Sequence, residues 1–228
     1  INKHINYLNR ILNVARGWGL ISGIKEKTRV SRKVAMGDQR QRFLSEIEIK
    51  SILSSCRKEN HPYLDMFIHL LILTGARSSE ARLARWRDFD MARMIWTVPV
   101  SKNGRARRIV MSSAVERLLT DIRVRSTALG LPTNIDSHLF INPRLRKPYE
   151  SFHLAWDRAR KRVEMNDVRI HDLRHTYASL LINRGASIYE VQKLLGHHHI
   201  SMTERYAHLF PDTLQQRVEI VAEMLGTV

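Results

Sequence analysis

The chain has 228 residues, 43% of them hydrophobic, and a formal net charge of +16. This composition excludes an intrinsically disordered protein, and the single cysteine, Cys56, excludes a disulfide framework. The longest apolar-rich run, from Met66 to Leu73, is too short to span a bilayer. The charge predicts a polyanionic partner, and duplex nucleic acid fits better than a single strand because the few aromatic residues are not interleaved with basic ones. An anionic membrane surface and a merely basic soluble protein are the alternatives.

The first predicted element is a basic amphipathic helix. Apolar side chains recur at roughly helical spacing over residues 3–19, with basic residues between them. Residues 19–42 keep no sustained period and carry many charges, so we interpret them as a linker. Its charges either bind phosphate or simply keep a flexible segment solvated.

Three helices are predicted next. Ser45 followed by Glu48 forms a capping box ahead of the first helix, and Pro62 opens the second, the very apolar segment "YLDMFIHLLIL". Ser78 or Ser79 caps the third helix, "SEARLARWRDF". Each of these signals pairs or removes a backbone N–H group that the start of a helix would leave without a partner.

A small antiparallel sheet follows. The β-rich runs "MIWTVPV" and "ARRIVM" flank Asn103-Gly104, which is a strong signal for a hairpin turn. Helices are predicted at about 113–129 and 151–164, and the short segment "HLFIN" between them is a strand or a loop.

Three more helices are predicted in the last part of the chain. The segment "DLRHTYASLLINRG" has one apolar face and ends with Gly185 as its C-cap, and "SIYEVQKLLG" has a similar face. A last amphipathic helix starts at Pro211. The sequence therefore predicts a mainly α protein with a small antiparallel β-sheet, an α+β fold.

Six side chains in separate segments together suit one reaction. They are Arg77, Lys102, His171, Arg174, His197 and Tyr206. Two arginines can clamp the non-bridging oxygens of a phosphodiester, and a tyrosine hydroxyl can attack the phosphorus to form a covalent phosphoenzyme. A histidine can handle the tyrosine proton near neutral pH, and a lysine can protonate the departing 5′ oxygen. This chemistry requires no metal and no other cofactor.

The segments that contain these residues resemble the tyrosine recombinases, the phage integrase family. "TGARSSEARLARWRDFD" resembles the first arginine box of the family, and "VSKNGRARRIVM" resembles its β-hairpin with the catalytic lysine. "HDLRHTYASLLINRGASIYEVQKLLGHHHISMTERYAHL" resembles the block with the His-x-x-Arg pair, the Leu-Gly-His turn and the nucleophilic tyrosine, nine positions after the turn histidine. The resemblance covers about residues 42–210 and implies the catalytic-domain fold of that family.

The resemblance also implies a role for each residue. Arg77 and Arg174 would bind the scissile phosphate, and His197 would hydrogen-bond one of its oxygens. Lys102 would be the general acid for the 5′-hydroxyl, and Tyr206 would form a 3′-phosphotyrosyl bond.

Two further residues have roles in this scheme. His171 would be either the proton acceptor for the nucleophile or a hydrogen-bond donor to the phosphate. Glu80 would be structural and would orient a neighbouring basic group. His198 and His199 lie where the family is variable, and we expect them to contact solvent or the DNA backbone.

A domain organisation and a set of partners follow from the same resemblance. Residues 1–24 are interpreted as the last helix of an N-terminal core-binding domain, 25–41 as a basic linker and 42–228 as the catalytic domain. The implied protein is a site-specific DNA recombinase, an integrase that integrates or excises a phage, prophage or other mobile element. It would act on double-stranded recombination sites as a homotetramer, would be a monomer off DNA, and would have accessory DNA-bending or directionality proteins. The expected location is the cytoplasm of a bacterial host, at the nucleoid, without membrane association.

Three other functions are weighed against this one. His171 and His175 are four residues apart, as zinc ligands on a helix can be, but Arg174 between them would repel a cation. "LLINRGASIYEVQKLL" is similar to a helix-turn-helix, so a non-catalytic DNA-binding regulator is possible, although it would leave Tyr206 without a role. A type IB topoisomerase-like enzyme would share the chemistry.

Overall fold

The computed structural model describes residues 2–21, 42–99, 106–197, 202–204 and 206. The chain divides into two compact units, Ile1–Arg40 and Gln41–Val228. The predicted linker at 25–41, the Asn103-Gly104 turn and the predicted helix from Pro211 lie outside the described residues.

The first unit contains helix α1 (Asn2–Gly17), which confirms the helix predicted from the apolar spacing. Its apolar residue Ile11 is 63% exposed, and Trp18, just after the helix, is 74% exposed. The interpretation of residues 1–24 as the end of another domain stays a prediction.

The second unit is helical with one small sheet. Its described elements in chain order are α2 (Glu46–Arg57), α3 (Leu64–Thr74), α4 (Ser78–Arg82), a 3₁₀ turn (Trp86–Asp88), β1 (Phe89–Asp90), β2 (Ile95–Val98), β3 (Arg107–Val110), α5 (Ser113–Ala128), α6 (His153–Arg162), α7 (Asp172–Asn183) and α8 (Ile188–Leu195). This order confirms the predicted α+β class. In the described part of the chain, no helix is both long and apolar enough to cross a membrane.

Helix α2 starts at the predicted capping box. The Ser45 hydroxyl accepts the Glu48 backbone N–H at 3.2 Å, and the Glu48 carboxylate accepts the Ser45 backbone N–H at 2.8 Å. The backbone N–H of Leu44 donates to Oγ1 of Thr176 on α7 at 2.9 Å. The start of α2 is therefore joined to the helix that carries two of the predicted catalytic residues.

Helix α3 lies at the centre of the core because nearly all of its side chains are apolar and buried. It packs against α2, α5 and α7. Phe67 of α3 stacks on Phe152, with ring centroids 3.8 Å apart and planes inclined by 4°. The helix ends at Gly75, two residues before Arg77, so the core fixes the position of the first arginine segment.

The sheet has the order β1-β2-β3 with both pairs antiparallel. Trp96 of β2 pairs with Phe89 of β1 on one side and with Ile109 of β3 on the other. The two predicted β-rich runs are thus confirmed as neighbouring strands. Strand β1 was not predicted, because two residues are too few to show an alternating pattern.

The helix predicted over "SEARLARWRDF" is much shorter than expected. Helix α4 ends at Arg82, and its N-cap is Arg77 rather than Ser78 or Ser79. The carboxylate of Glu80 reaches back to the Arg77 backbone N–H at 2.8 Å and pairs it, as the glutamate of a capping box does. The "HLFIN" segment is a loop with isolated bridges, one of which pairs residues 85 and 138.

We expect Gly75→Ala to destabilise the second unit more than Gly130→Ala does. The two glycines have φ values of +60° and +62°, so backbone strain of about 1–2 kcal/mol is common to both variants. An added Cβ at Gly75 would lie 2.5 Å from Cδ1 of Tyr177, whereas no described atom lies within 4 Å of one at Gly130. Chemical denaturation of both variants measures the difference. Equal losses of stability would contradict the packing argument.

Candidate active site

A buried carboxylate joins two arginines from different elements. Glu80 on α4 accepts a hydrogen bond from Nη1 of Arg77 at 2.9 Å. Arg107 on β3 donates to both oxygens of Glu80, through Nη2 at 2.7 Å and Nε at 3.2 Å. The side chains of Arg107 and Glu80 are 8% and 5% exposed. Burial raises the pKa of Glu80, but the bonds from Arg107 and Arg77 outweigh it, so the pKa lies below its ordinary value.

A second buried arginine lies close to this pair. Arg174 on α7 donates from Nη1 to the carbonyl of Gly75 and from Nη2 to the carbonyl of Leu195, both at 2.6 Å. Burial lowers the pKa of Arg174 to about 9, and the charges of Arg107 and Arg77 act in the same direction. Arg174 therefore remains protonated at neutral pH. Its two carbonyl bonds use two of the five N–H donors of a guanidinium.

The end of helix α8 connects the arginines to the turn that carries His197. The Leu195 carbonyl accepts from Arg174 and also from Nη1 of Arg107, at 3.0 Å. Gly196 caps the helix with a φ of +63°, and a Cβ there would lie 3.0 Å from Cδ of Arg107. Glycine at this position allows both the left-handed turn and the close approach of Arg107.

A threonine links the turn histidine to the tyrosine. Nδ1 of His197 lies 2.8 Å from Oγ1 of Thr203. The carbonyl of Thr203 accepts the backbone N–H of Tyr206 at 2.9 Å, and Thr203 is fully buried.

The hydroxyl of Tyr206 is held against the histidine that follows Arg174. Oη of Tyr206 lies 2.6 Å from Nδ1 of His175, and the two residues are only 5% and 9% exposed. The rings of His171 and His175 meet edge to face with centroids 5.1 Å apart. Because His175 directly follows Arg174 in α7, this contact holds the tyrosine hydroxyl at the segment that carries the buried guanidinium.

Five of the six predicted catalytic residues lie in the described part of the chain, and a continuous set of contacts relates them. These are Arg77, His171, Arg174, His197 and Tyr206. Lys102, His198 and His199 lie outside the described residues. The catalytic roles of all of them stay predictions at this point.

Two central residues, Arg107 and His175, were not assigned a role from the sequence. Strand alternation places Arg107 on the same face as the buried Ile109, and an arginine on a buried face is a signal of an internal ion pair. His175 is four residues after His171 and shares its helix face, which the sequence analysis considered only as a metal pair. Across the described residues, no group of three histidine, cysteine or acidic side chains could hold a metal ion.

Known proteins similar to this chain were identified by sequence and by structure. Residues 42–212 match the model of the phage integrase family. The integrase of Salmonella phage P22 is 28% identical over 98% of this chain and 57% of its own length. The tyrosine recombinase XerA of Saccharolobus solfataricus is 31% identical over 75% of this chain and 54% of its own length. The chain thus spans little more than half the length of these relatives.

Two solved structures share the fold. The catalytic domain of bacteriophage HP1 integrase matches with a TM-score of 0.60 and 26% identity, over 79% of this chain and 95% of that one. The Tn1549 transposon integrase, in complex with a circular intermediate DNA, matches with a TM-score of 0.72 and 19% identity, over 96% and 77% of the two chains. The predicted catalytic-domain fold is confirmed by these matches.

Glu80→Gln is expected to destabilise the second unit by about 3–5 kcal/mol, because it leaves buried guanidiniums without their counter-charge. Glu46→Gln is the matched control. Glu46 pairs with Arg184 at the surface, where the two side chains are 61% and 76% exposed, so its loss should cost about 0–1 kcal/mol. Chemical denaturation at neutral pH measures both variants, and similar losses would contradict the assignment of Glu80 as a buried counter-ion.

Glu80→Gln should also change how the stability of the second unit depends on pH. The pKa of Glu80 in the folded state is lower than its ordinary value of 4.5, so its charge stabilises the fold above that value. The contribution is lost as the pH falls through the lowered pKa. As the pH falls below 4.5, Glu80→Gln should therefore lose less stability than the unsubstituted chain does. Denaturation midpoints across this range provide the measurement, and parallel curves would disagree with it.

Proposed function

Because the chain belongs to the phage integrase family, we propose that it is a site-specific DNA recombinase. In this proposal it cleaves and rejoins DNA strands through a 3′-phosphotyrosyl intermediate, and so integrates or excises a mobile element. The observation that carries the proposal is the buried hydroxyl of Tyr206, held 2.6 Å from Nδ1 of His175, which directly follows Arg174, while Arg174 and Arg107 both donate to the Leu195 carbonyl. The proposed nucleophile and the proposed phosphate-binding arginines thus belong to one connected group of residues.

The charge balance of the cluster supports a phosphate ligand. Arg77, Arg107 and Arg174 bring three guanidinium groups together, and Glu80 brings one carboxylate. Buried positive charges in excess are costly, and an anion that pairs with them removes part of that cost. A phosphodiester offers two non-bridging oxygens, which match the paired N–H donors of arginine. In this proposal, Arg77 and Arg174 bind the phosphate, and Arg107 neutralises the carboxylate of Glu80.

The proposed reaction conserves the phosphodiester energy. Oη of Tyr206 gives up its proton to a histidine of the site as it attacks the phosphorus. The Oη–P bond forms and the bond from phosphorus to the 5′ oxygen breaks. The 5′ oxygen takes a proton from Lys102, the proposed general acid. His197 donates to a phosphate oxygen, in a position that its contact with Thr203 supports. Rejoining reverses each step with another 5′-hydroxyl, so the scheme uses neither a nucleotide nor a metal.

The proposed partner is double-stranded DNA that carries the recombination sites. The net charge of +16 supports a polyanionic partner. Assembly of a homotetramer on paired sites, accessory DNA-bending or directionality proteins and a place at the bacterial nucleoid belong to the same proposal. A helix-turn-helix regulator and a topoisomerase-like enzyme are less favoured, because the family relatives are integrases and recombinases.

Tyr206→Phe should abolish covalent attachment to DNA. The protein is incubated, in the presence of a chelator, with supercoiled plasmid that carries the DNA flanking its own gene, and is then denatured and digested. Mass spectrometry is expected to find nucleotide on the Tyr206 peptide. Tyr189→Phe, which changes an exposed tyrosine on α8, is the matched control and should retain the adduct.

Two results would overturn the proposal. One is an adduct that survives Tyr206→Phe, which would mean that another residue is the nucleophile. The other is tight binding of the plasmid without any adduct in the unsubstituted chain, which would favour the non-catalytic regulator.

A further inference from the structure

We propose that His175 is the residue that accepts the proton of the Tyr206 hydroxyl as it attacks phosphorus, and that His171 acts on the phosphate instead. This inference rests on the proposed function and deepens it, because the sequence left His171 open between these two roles. It adds a catalytic residue outside the six that the sequence analysis assigned.

The contact itself is the first argument. Oη of Tyr206 and Nδ1 of His175 are 2.6 Å apart, which is within the range in which a candidate base must lie from the proton that it abstracts. The phenol donates in this bond when the imidazole is neutral and carries its proton on Nε2. Both residues are buried, so the imidazole is a nearer acceptor than bulk water.

The way the tyrosine is held is the second argument. The backbone N–H of Tyr206 is bonded to Thr203, and the hydroxyl of Thr203 is bonded to His197. The backbone of Tyr206 is therefore connected through Thr203 to His197. Its hydroxyl is hydrogen-bonded to His175 on α7. A contact fixed at both ends has a definite geometry, as proton transfer requires.

The groups nearest to the pair are Arg174 and His171. Arg174 is next to His175 in the chain and interacts electrostatically with Tyr206. His171 lies on the same face of α7, with its ring centroid 5.1 Å from that of His175. The neutral form of an imidazole is the one that accepts a proton, and Nδ1 of His175 is the ring atom that faces the hydroxyl.

The charges farther from the pair are those of the arginine cluster and the turn. Arg77 and Arg107 share the carboxylate of Glu80, and His197 reaches Tyr206 through Thr203. Arg174, which interacts electrostatically with Tyr206, stabilises the phenolate that develops as the proton leaves and so assists the transfer.

The transfer balances in both directions. In cleavage, the Oη–P bond forms as the bond from phosphorus to the 5′ oxygen breaks. The Oη proton moves to Nδ1 of His175, which becomes an imidazolium, and the 5′ oxygen receives its proton from the general acid. In rejoining, the 5′-hydroxyl returns that proton, the Oη–P bond breaks, and Oη recovers its proton from His175.

His175→Asn separates proton acceptance from positioning. The asparagine amide lies where the imidazole carries Nδ1, so it can keep a hydrogen bond to Tyr206 but cannot take up the proton. We expect the single-turnover rate of adduct formation on the flanking-DNA plasmid to fall by about 10²–10⁴-fold at neutral pH. The remaining rate should rise with pH, because hydroxide takes over the proton. His171→Asn should instead keep the wild-type dependence of the rate on pH.

The outcomes distinguish this proposal from the proposed function. If His175→Asn cleaves at the wild-type rate and with the wild-type pH profile, His175 only positions the tyrosine. If the pH profile changes in His171→Asn and not in His175→Asn, His171 is the acceptor. Either result overturns the inference while the adduct on Tyr206 still supports the recombinase.

A measurement on the protein without DNA tests the contact even if a variant fails to fold or the plasmid is not cleaved. In the unsubstituted chain with ¹⁵N-labelled histidine, the Nδ1 signal of one histidine should show an acceptor nitrogen, and Tyr206→Phe should shift that signal. His175→Asn should remove it, which assigns it. If Tyr206→Phe leaves all histidine signals unchanged, the contact on which the inference depends does not form in solution, and the inference is wrong.

Discussion

The carboxylate of Glu80 between two guanidiniums is the interaction on which the rest of the candidate site depends. A buried carboxylate is expensive unless its oxygens are bonded, and here each oxygen accepts from Arg107 while both also bond to Arg77. The bonds join the short helix α4 to strand β3, which are separated by more than twenty residues in the chain. Arg77 is thereby held in a direction that its own five-residue helix could not fix.

The carbonyl of Leu195 extends this constraint to the rest of the site. Because it accepts from both Arg107 and Arg174, the end of α8 is fixed to β3 and to α7 at one point. Arg174 also bonds to the carbonyl of Gly75, so the end of α3 joins the same arrangement. Gly75 and Gly196 both have positive φ, and they lie against the side chains of Tyr177 and Arg107. Glycine at these two positions therefore lets α3, α7, α8 and β3 approach one another closely.

The sequence predicted the elements with local signals and missed the features that depend on distant contacts. The capping box of α2 is local, and it forms as predicted. Helix α4 ends earlier than its pattern predicts, because the backbone that follows it pairs with a distant loop: the Leu139 N–H donates to the Ala84 carbonyl at 2.9 Å, and the Trp86 N–H donates to the Ser137 carbonyl at 3.1 Å. The identity of the candidate site followed from the resemblance, since a tyrosine and an arginine far apart in sequence carry no local sign that they meet. The contact between Tyr206 and His175 could be seen only after folding, because a helical spacing gives the face of His175 but not its partner.

In the proposed reaction, the two histidines of α7 would act in different environments. His175 is buried and contacts the hydroxyl of Tyr206, so a proton placed on it would stay close to the oxygen that would recover it in rejoining. His171 is exposed at the start of the same helix, where it can reach a ligand that approaches from solvent. Rejoining puts a proton back on the tyrosine oxygen, and an enclosed acceptor that keeps this proton would supply it without exchange with solvent. His175 is buried and His171 is exposed, four residues away on the same helix face, so one turn of α7 would serve both the proton of Tyr206 and the phosphate.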